Sequence, residues 1–361
     1  MDNLGYIIMS EDTDSENEGS FEIRPMKHKD SIVSCASFER DSFLNLLGRA
    51  ENDVRKDRGF SFQEEYLLDN YRFKTCLHNR FGHNGSEQGQ IRNGSGIYHI
   101  YNGTVVVTDV LNSCLFIYGA SGRMIKCIDI PKGSEPWTTA ATPSGVFAVA
   151  LSREKCVSIL TCAGIEKFRI GKDVLDYPSG IIVDRRNRYI VTDIKQNKIH
   201  IFSDSGKLIR SIPDNEQGVS LKTPRHVTLS HSGDIIVSDS GNHCVKLFDR
   251  HGDHVKTFGK YGVNDGELKF PHGICTDSQD NIIVADYYNN RVSMFSKQGK
   301  FLQHLVTATI GLNRPQGVAI RNHPSYFILY ITYGDMKANK VVAYRIVDSE
   351  NEKKVVISAT V

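Results

Sequence analysis

The stretch DNIIVADYYNNRVSMFSKQGK, residues 280–300, decides the fold because the chain repeats its pattern. NRYIVTDIKQNKIHIFSDSGK (187–207) and GDIIVSDSGNHCVKLFDRHGD (233–253) align with it without a gap through their centres. Asp193, Asp239 and Asp286 fall 46 and 47 residues apart. Each precedes an aromatic residue (Phe202, Phe248, Phe295) by nine positions and a glycine (Gly206, Gly252, Gly299) by thirteen. A fixed period of this length marks a repeat architecture, in which one supersecondary unit cannot bury its own apolar surface alone.

The same ruler extends in both directions. TVVVTDVLNSCLFIYGASGR (104–123) keeps Asp109, Tyr118 and Gly122 in register. GVFAVALSREKCVSILTCAGI (145–165) has Leu151 in place of the aspartate, and FILYITYGDMKANKVVAY (327–344) has Tyr333 there with a longer turn. Six copies result, each led by a turn and a strand start: GSGIYHI, EPWTTAA, YPSGIIV, TPRHVTL, FPHGICT and RPQGVAI. Each copy reads as four short strands. Its second strand (VVV, YIV, IIV, IIV) is apolar at consecutive positions, so both faces must be covered. Radial stacking of small sheets meets that demand, and a six-bladed β-propeller is the expected all-β fold. A linear solenoid would need polar capping repeats, and none is legible. RFGHNGSEQGQ (80–90) matches TFGKYGVNDGE (257–267), a segment that ends one copy and leads into the next. Residues 73–82 should therefore close the last blade as its outer strand. KKVVISATV (353–361) is a rival for that role.

The expected organisation is an acidic, largely flexible lead over residues 1–72, the propeller over 73–346, and a tail or extra strand over 347–361. The lead carries 9 Lys+Arg against 16 Asp+Glu, and the rest of the chain 35 against 26. A basic body permits a polyanionic partner. MSEDTDSENEGS (9–20) has the composition of disorder, and a short helix is expected near SFLNLLGRAENDVRKD. No run of eighteen apolar residues is present, and the N-terminus lacks the basic and apolar regions of a secretory signal. The eight cysteines form no C-x-x-C pair or zinc spacing. Together these features predict reduced thiols in a cytosolic or nuclear protein, with a cytoplasmic location expected.

P-x-G-I, then (I/V)-x-D, then N-x-(R/C/K)-(V/I)-x-x-F and a turn glycine resemble the NHL-repeat family. The likeness covers residues 73–346 and is most similar to the NHL propellers of tripartite-motif (TRIM-NHL) and Brat-type proteins, without a RING or B-box. It implies either a translational regulator that binds single-stranded RNA or a platform for protein partners. A substrate adaptor serving a separate ubiquitin ligase is one form of the second. Intrinsic ligase activity is not implied.

Individual residues divide into scaffold and site. The recurrent aspartates are expected to accept N–H bonds from the following turn. Asp277 and Asp280 lack the ligand set of a calcium loop. Cys114, Cys156 and Cys244 share one small packing slot. His226 and His272 follow the proline-led turns and could approach a central channel, where lyases of the wider fold hold a metal, yet further ligands are not apparent. No cofactor, metal or catalytic constellation is expected. The turns that enter each first strand and those joining second to third strands should emerge on one face. There, Lys195, Lys198, Lys222, Arg225, His226, His272, Tyr287, Tyr288, Asn290, Arg291 and Arg314 are the expected contacts to an mRNA or protein partner. Neither DNA nor membrane is expected.

Overall fold

The computed structural model describes residues 66–68 and 72–349, except 84, 86–88, 101–102, 143, 214–217 and 335–336. The expected helix near residue 43, the acidic segment 9–20 and the rival closing strand 353–361 lie outside the described residues.

Six antiparallel sheets follow one another around a ring. The first blade comprises β3 (Gly94–His99), β4 (Val105–Asp109), β5 (Cys114–Tyr118) and β6 (Met124–Asp129). The second comprises β7 (Pro136–Ala141), β8 (Phe147–Leu151), β9 (Cys156–Leu160) and β10 (Glu166–Ile170), and the third β11 (Pro178–Val183), β12 (Tyr189–Asp193), β13 (Lys198–Phe202) and β14 (Leu208–Ile212). Blade four holds β15 (Pro224–Leu229), β16 (Ile235–Asp239), β17 (Cys244–Phe248) and β18 (His254–Phe258), and blade five β19 (Pro271–Thr276), β20 (Ile282–Asp286), β21 (Arg291–Phe295) and β22 (Phe301–Val306). In the sixth, β23 (Val318–Asn322), β24 (Tyr326–Tyr333) and β25 (Lys340–Asp348) are joined by β2 (Phe73–Phe81) and β1 (Tyr66–Leu68) from the start of the chain.

Blade position explains the apolar pattern. Every residue of β4, β8, β12, β16 and β20 is buried, because each second strand is sandwiched between neighbouring blades. The outer strands β10 and β18 are largely exposed. The period-marking rings Tyr118, Phe202, Phe248 and Phe295 are at most 1% exposed. Burying each is worth about 1.5–3 kcal/mol. First strands pack against one another in sequence, and β23 meets β3, so the ring closes on itself.

β2 pairs along its whole length with β25, from Phe73 opposite Asp348 to Phe81 opposite Val341. It is also fastened to blade five. The Thr75 hydroxyl donates to the Leu305 carbonyl at 2.9 Å, and the Gln303 amide exchanges two hydrogen bonds with the Phe73 backbone. No repeat feature marks the additional strand β1, which pairs with β2 around Cys76.

Candidate functional site

The site grows from the entry to each first strand, which is led by proline in blades two to six and by Gly94 in blade one. The third position of that entry is Gly96, Thr138, Gly180, His226, Gly273 or Gly317, in blade order. At three of the glycines a Cβ would collide with the next blade's backbone. It would lie 2.9 Å from the Trp137 carbonyl oxygen at Gly96, 2.8 Å from that of Arg225 at Gly180, and 2.6 Å from that of Gln316 at Gly273. First strands thus approach almost backbone to backbone. The second position holds Ser95, Trp137, Ser179, Arg225, His272 and Gln316. Small residues at 95 and 179 leave room for large neighbours. Arg225 of blade four reaches over blade three to sit 5.2 Å above the Trp137 ring of blade two. It also lies close enough to Tyr177, Tyr287 and Tyr288 to interact electrostatically.

A chain of rings continues outward across blades four and five. His272 stacks on Tyr287 with centroids 4.2 Å apart and planes 16° apart. Tyr287 meets Tyr288 edge-on at 4.8 Å, Tyr288 meets Phe270 at 5.2 Å, and Phe270 meets His243 at 4.3 Å. His243 in turn meets Tyr261 at 4.9 Å. Cations lie over this face as well: Arg314 over Tyr288, Lys269 over Tyr261 and Lys195 over Tyr177, each at 5.8 Å. Tyr261, Phe270 and Tyr288 remain 61%, 37% and 48% exposed. They offer ring surface that intramolecular packing has not consumed.

Short-range geometry holds these loops. Tyr287–Asn289 forms a single 3-10 turn that ends at Asn290 in the left-handed region (φ 52°). Ser240–Asn242 repeats it, ending at His243 (φ 56°). The residue that closes each turn then clips the next blade. Asn197 Oδ1 accepts the Thr223 N–H, His243 Nδ1 that of Phe270, and Asn290 Oδ1 that of Arg314.

Two of the expected contacts carry structural work in this geometry. Asn290 spends its amide oxygen on the inter-blade clip. Arg291 is buried, and its guanidinium is engaged inside blade five. Nε donates to Asp286 at 2.8 Å, Nη1 to the Val263 carbonyl, and Nη2 to the carbonyls of Asn264 and Glu267. Lys246 performs the same task in blade four, donating to Asp239 and the Ser220 carbonyl. Arg225, His272, Tyr287, Tyr288 and Arg314 are brought together as described. Lys195 joins them through Tyr177 and shares Asp176 with Lys155. Lys222 is exposed beside His243. His226 occupies a glycine slot, and Lys198 is half-buried at the head of β13.

The aspartates are scaffold. Asp109 accepts backbone N–H bonds from Arg92, Asn93, Leu111 and Asn112; Asp193 accepts them from Asp176, Tyr177, Lys195 and Gln196. Both are fully buried. Asp277 closes its turn through the N–H groups of Gln279 and Asn281. Among the described residues, no group of three or more His, Cys, Asp or Glu stands where it could share a metal ion. Burial and then the Arg225 charge push His226 down to about 3, and the same causes hold His272 well below its ordinary value. Both rings are neutral near pH 7, able to accept or donate hydrogen bonds, with a guanidinium beside them that opposes a cation.

Trp137, Tyr177, Tyr261, Lys269 and Phe270 belong to this surface and were not among the expected contacts. The repeat carries the signal for several of them. Trp137 fills the slot of Arg225 and His272, while Tyr177 and Phe270 fill the slot just before the proline.

Comparison with known proteins agrees with this architecture. Residues 268–295 match the NHL repeat. The Drosophila melanogaster protein brain tumor is 30% identical over 101 residues, which are 27% of this chain and 10% of that protein. The chain therefore covers about a tenth of the relative's length. Virginiamycin B lyase from Staphylococcus aureus superposes with a TM-score of 0.54 at 15% identity, over 76% of this chain and 99% of the other. A gluconolactonase from Xanthomonas campestris gives 0.55 at 15%, over 76% and 89%. A Bacteroides thetaiotaomicron protein of unknown function gives 0.63 at 12%, over 76% of each. At such identities the likeness is one of fold.

Proposed function

We propose that this propeller is a non-enzymatic recognition module that binds single-stranded RNA through the aromatic face, in cytoplasmic post-transcriptional regulation. The observation that carries the reading is the clustering of four cation–ring pairs on one face, centred on Arg225 over Trp137. Unpaired bases stack on such rings for about 1–3 kcal/mol each, while Lys and Arg meet the phosphates. Tyr288, Phe270 and Tyr261 supply the platforms in this reading. Arg314, Lys269, Lys222 and Lys195 supply the charge, and neutral His272 and Gln316 the polar contacts near the axis. The NHL match and the partial likeness to a Brat-type protein support a binding module.

Fluorescence anisotropy of the full chain with labelled random-sequence single-stranded RNA tests the proposal. Binding is expected at micromolar concentration or tighter, weakening as salt rises. Tyr288→Ala with Arg314→Gln should weaken it at least ~10-fold, the loss of about one stacked base and its cation. Absence of binding at low salt overturns the proposal.

The exposed apolar sector of Tyr261, Val263, Phe270 and Tyr288 favours a second reading, a protein-interaction platform or substrate adaptor for a separate ubiquitin ligase. RNA-independent co-purification of one defined protein, abolished by Phe270→Ala with Tyr288→Ala, would select it.

A further inference from the structure

The opposite face of the ring carries a different chemistry. There the turn joining β11 to β12 reads Asp184-Arg185-Arg186-Asn187-Arg188, whereas the equivalent turn of blade five reads Asp277-Ser278-Gln279-Asp280-Asn281. A cleft of about 370 Å³ opens between that basic turn and blade four. Arg185, Arg186 and Arg188 line one side, and His231, Arg250 and His251 line the other. Four arginines thus face one lining carboxylate, Asp184.

That carboxylate is already committed. Asp184 accepts the N–H groups of Arg186 and Arg188 and pairs with Arg188 Nε at 2.7 Å. The turn is thereby fixed, with Asn187 in the left-handed region at φ 59°. Arg185 and Arg186 are exposed and make no side-chain ion pair among the described residues. Across the cleft, Arg250 Nε donates to the His251 ring at 3.2 Å and has no acidic partner there. Blade five holds the His231 wall in place: Asp280 Oδ1 accepts the His231 N–H at 2.8 Å and lies 3.4 Å from its ring. The cleft is thus a preformed notch with three guanidinium groups that have no acidic partner among the described residues, and no Phe, Tyr or Trp lines it.

We propose that this cleft binds a phosphorylated serine or threonine side chain of a partner polypeptide. A phosphomonoester carries about −1.5 to −2 charges at pH 7. Arginine forks meet its oxygens bidentately. The lack of a stacking ring argues against an unpaired base, which the aromatic face would suit far better. The proposal is independent of that face and of what binds there.

The test uses the full chain and a labelled acidic peptide with one central phosphoserine, the same peptide unphosphorylated, and single-stranded RNA. The phosphopeptide should bind at least ~10-fold tighter than its unphosphorylated form, and inorganic phosphate should compete. Arg185→Glu with Arg250→Glu should abolish that preference. Both side chains are exposed, so thermal unfolding should be unchanged. Tyr288→Ala should leave phosphopeptide binding intact. Equal affinity for the two peptides overturns the proposal, as does a preference that survives charge reversal. RNA binding lost on charge reversal but retained in Tyr288→Ala would instead assign the cleft to nucleic acid, and would also overturn it.

Discussion

At the scale of single residues, Arg225 and Arg291 show how the same side chain serves opposite ends. Arg225 has its guanidinium over an indole, near three tyrosines of neighbouring blades. Arg291 surrenders its donors to Asp286 and three carbonyls. Removing a buried partner leaves an uncompensated charge, so Arg291→Ala should destabilise the protein by about 3–5 kcal/mol in urea unfolding. Replacing the pair together, Asp286→Asn with Arg291→Met, should cost less than Arg291→Ala alone, since no bare charge remains. An Arg291→Ala variant that keeps its unfolding midpoint but loses ligand binding would return Arg291 to the binding surface. The sequence placed both arginines beside a loop but could not separate them. The distinction rests on carbonyls at 263, 264 and 267, which only the folded entry loop brings to Arg291.

At the scale of the strand, the repeated glycine of the proline-led entry is a spacing device. Gly273 has no need of an unusual φ; its constraint is the neighbouring blade. A methyl group there would lie 2.6 Å from the Gln316 carbonyl oxygen and 2.7 Å from the Val318 nitrogen. Both are backbone atoms, one in the entry just before β23 and tied to the Thr332 carbonyl, the other at the head of β23, so they cannot rotate away. Gly273→Ala should therefore cost about 1–3 kcal/mol, in the range of overpacking. It should also disturb the stacked His272–Tyr287 pair next to it, read as a change in near-ultraviolet circular dichroism. An unchanged midpoint and spectrum would show that first strands can slide apart. Blade period, the four repeating strands of a blade and this glycine slot were all legible, because each is a local pattern repeated several times. The ring chain was only half legible: Tyr287 and Tyr288 stand out as a pair, whereas Tyr261 and Phe270 approach them only through the clip from His243 to the Phe270 N–H.

At the scale of the whole molecule, a ring of sheets is only as strong as its closure. Five blades are each made of continuous chain, while the sixth borrows β2 and β1 from nearly 270 residues away. The matched Phe-Gly segments made the borrowing of residues 73–82 readable, since Phe81-Gly82 repeats Phe258-Gly259. Strand β1 was not readable, because it repeats nothing else in the chain. Without β2, the β25 backbone becomes an open edge, and the ties of Phe73 and Thr75 to blade five are lost. Open edges pair with other chains, and long-range closure is the slow, costly step for non-local β structure. A chain beginning at residue 90 should therefore lose its single cooperative unfolding transition and self-associate on size-exclusion chromatography. Supplying residues 66–82 as a separate peptide should restore a monomeric species. A monomeric truncated chain with an unchanged midpoint would show that the remaining strands close the ring by themselves.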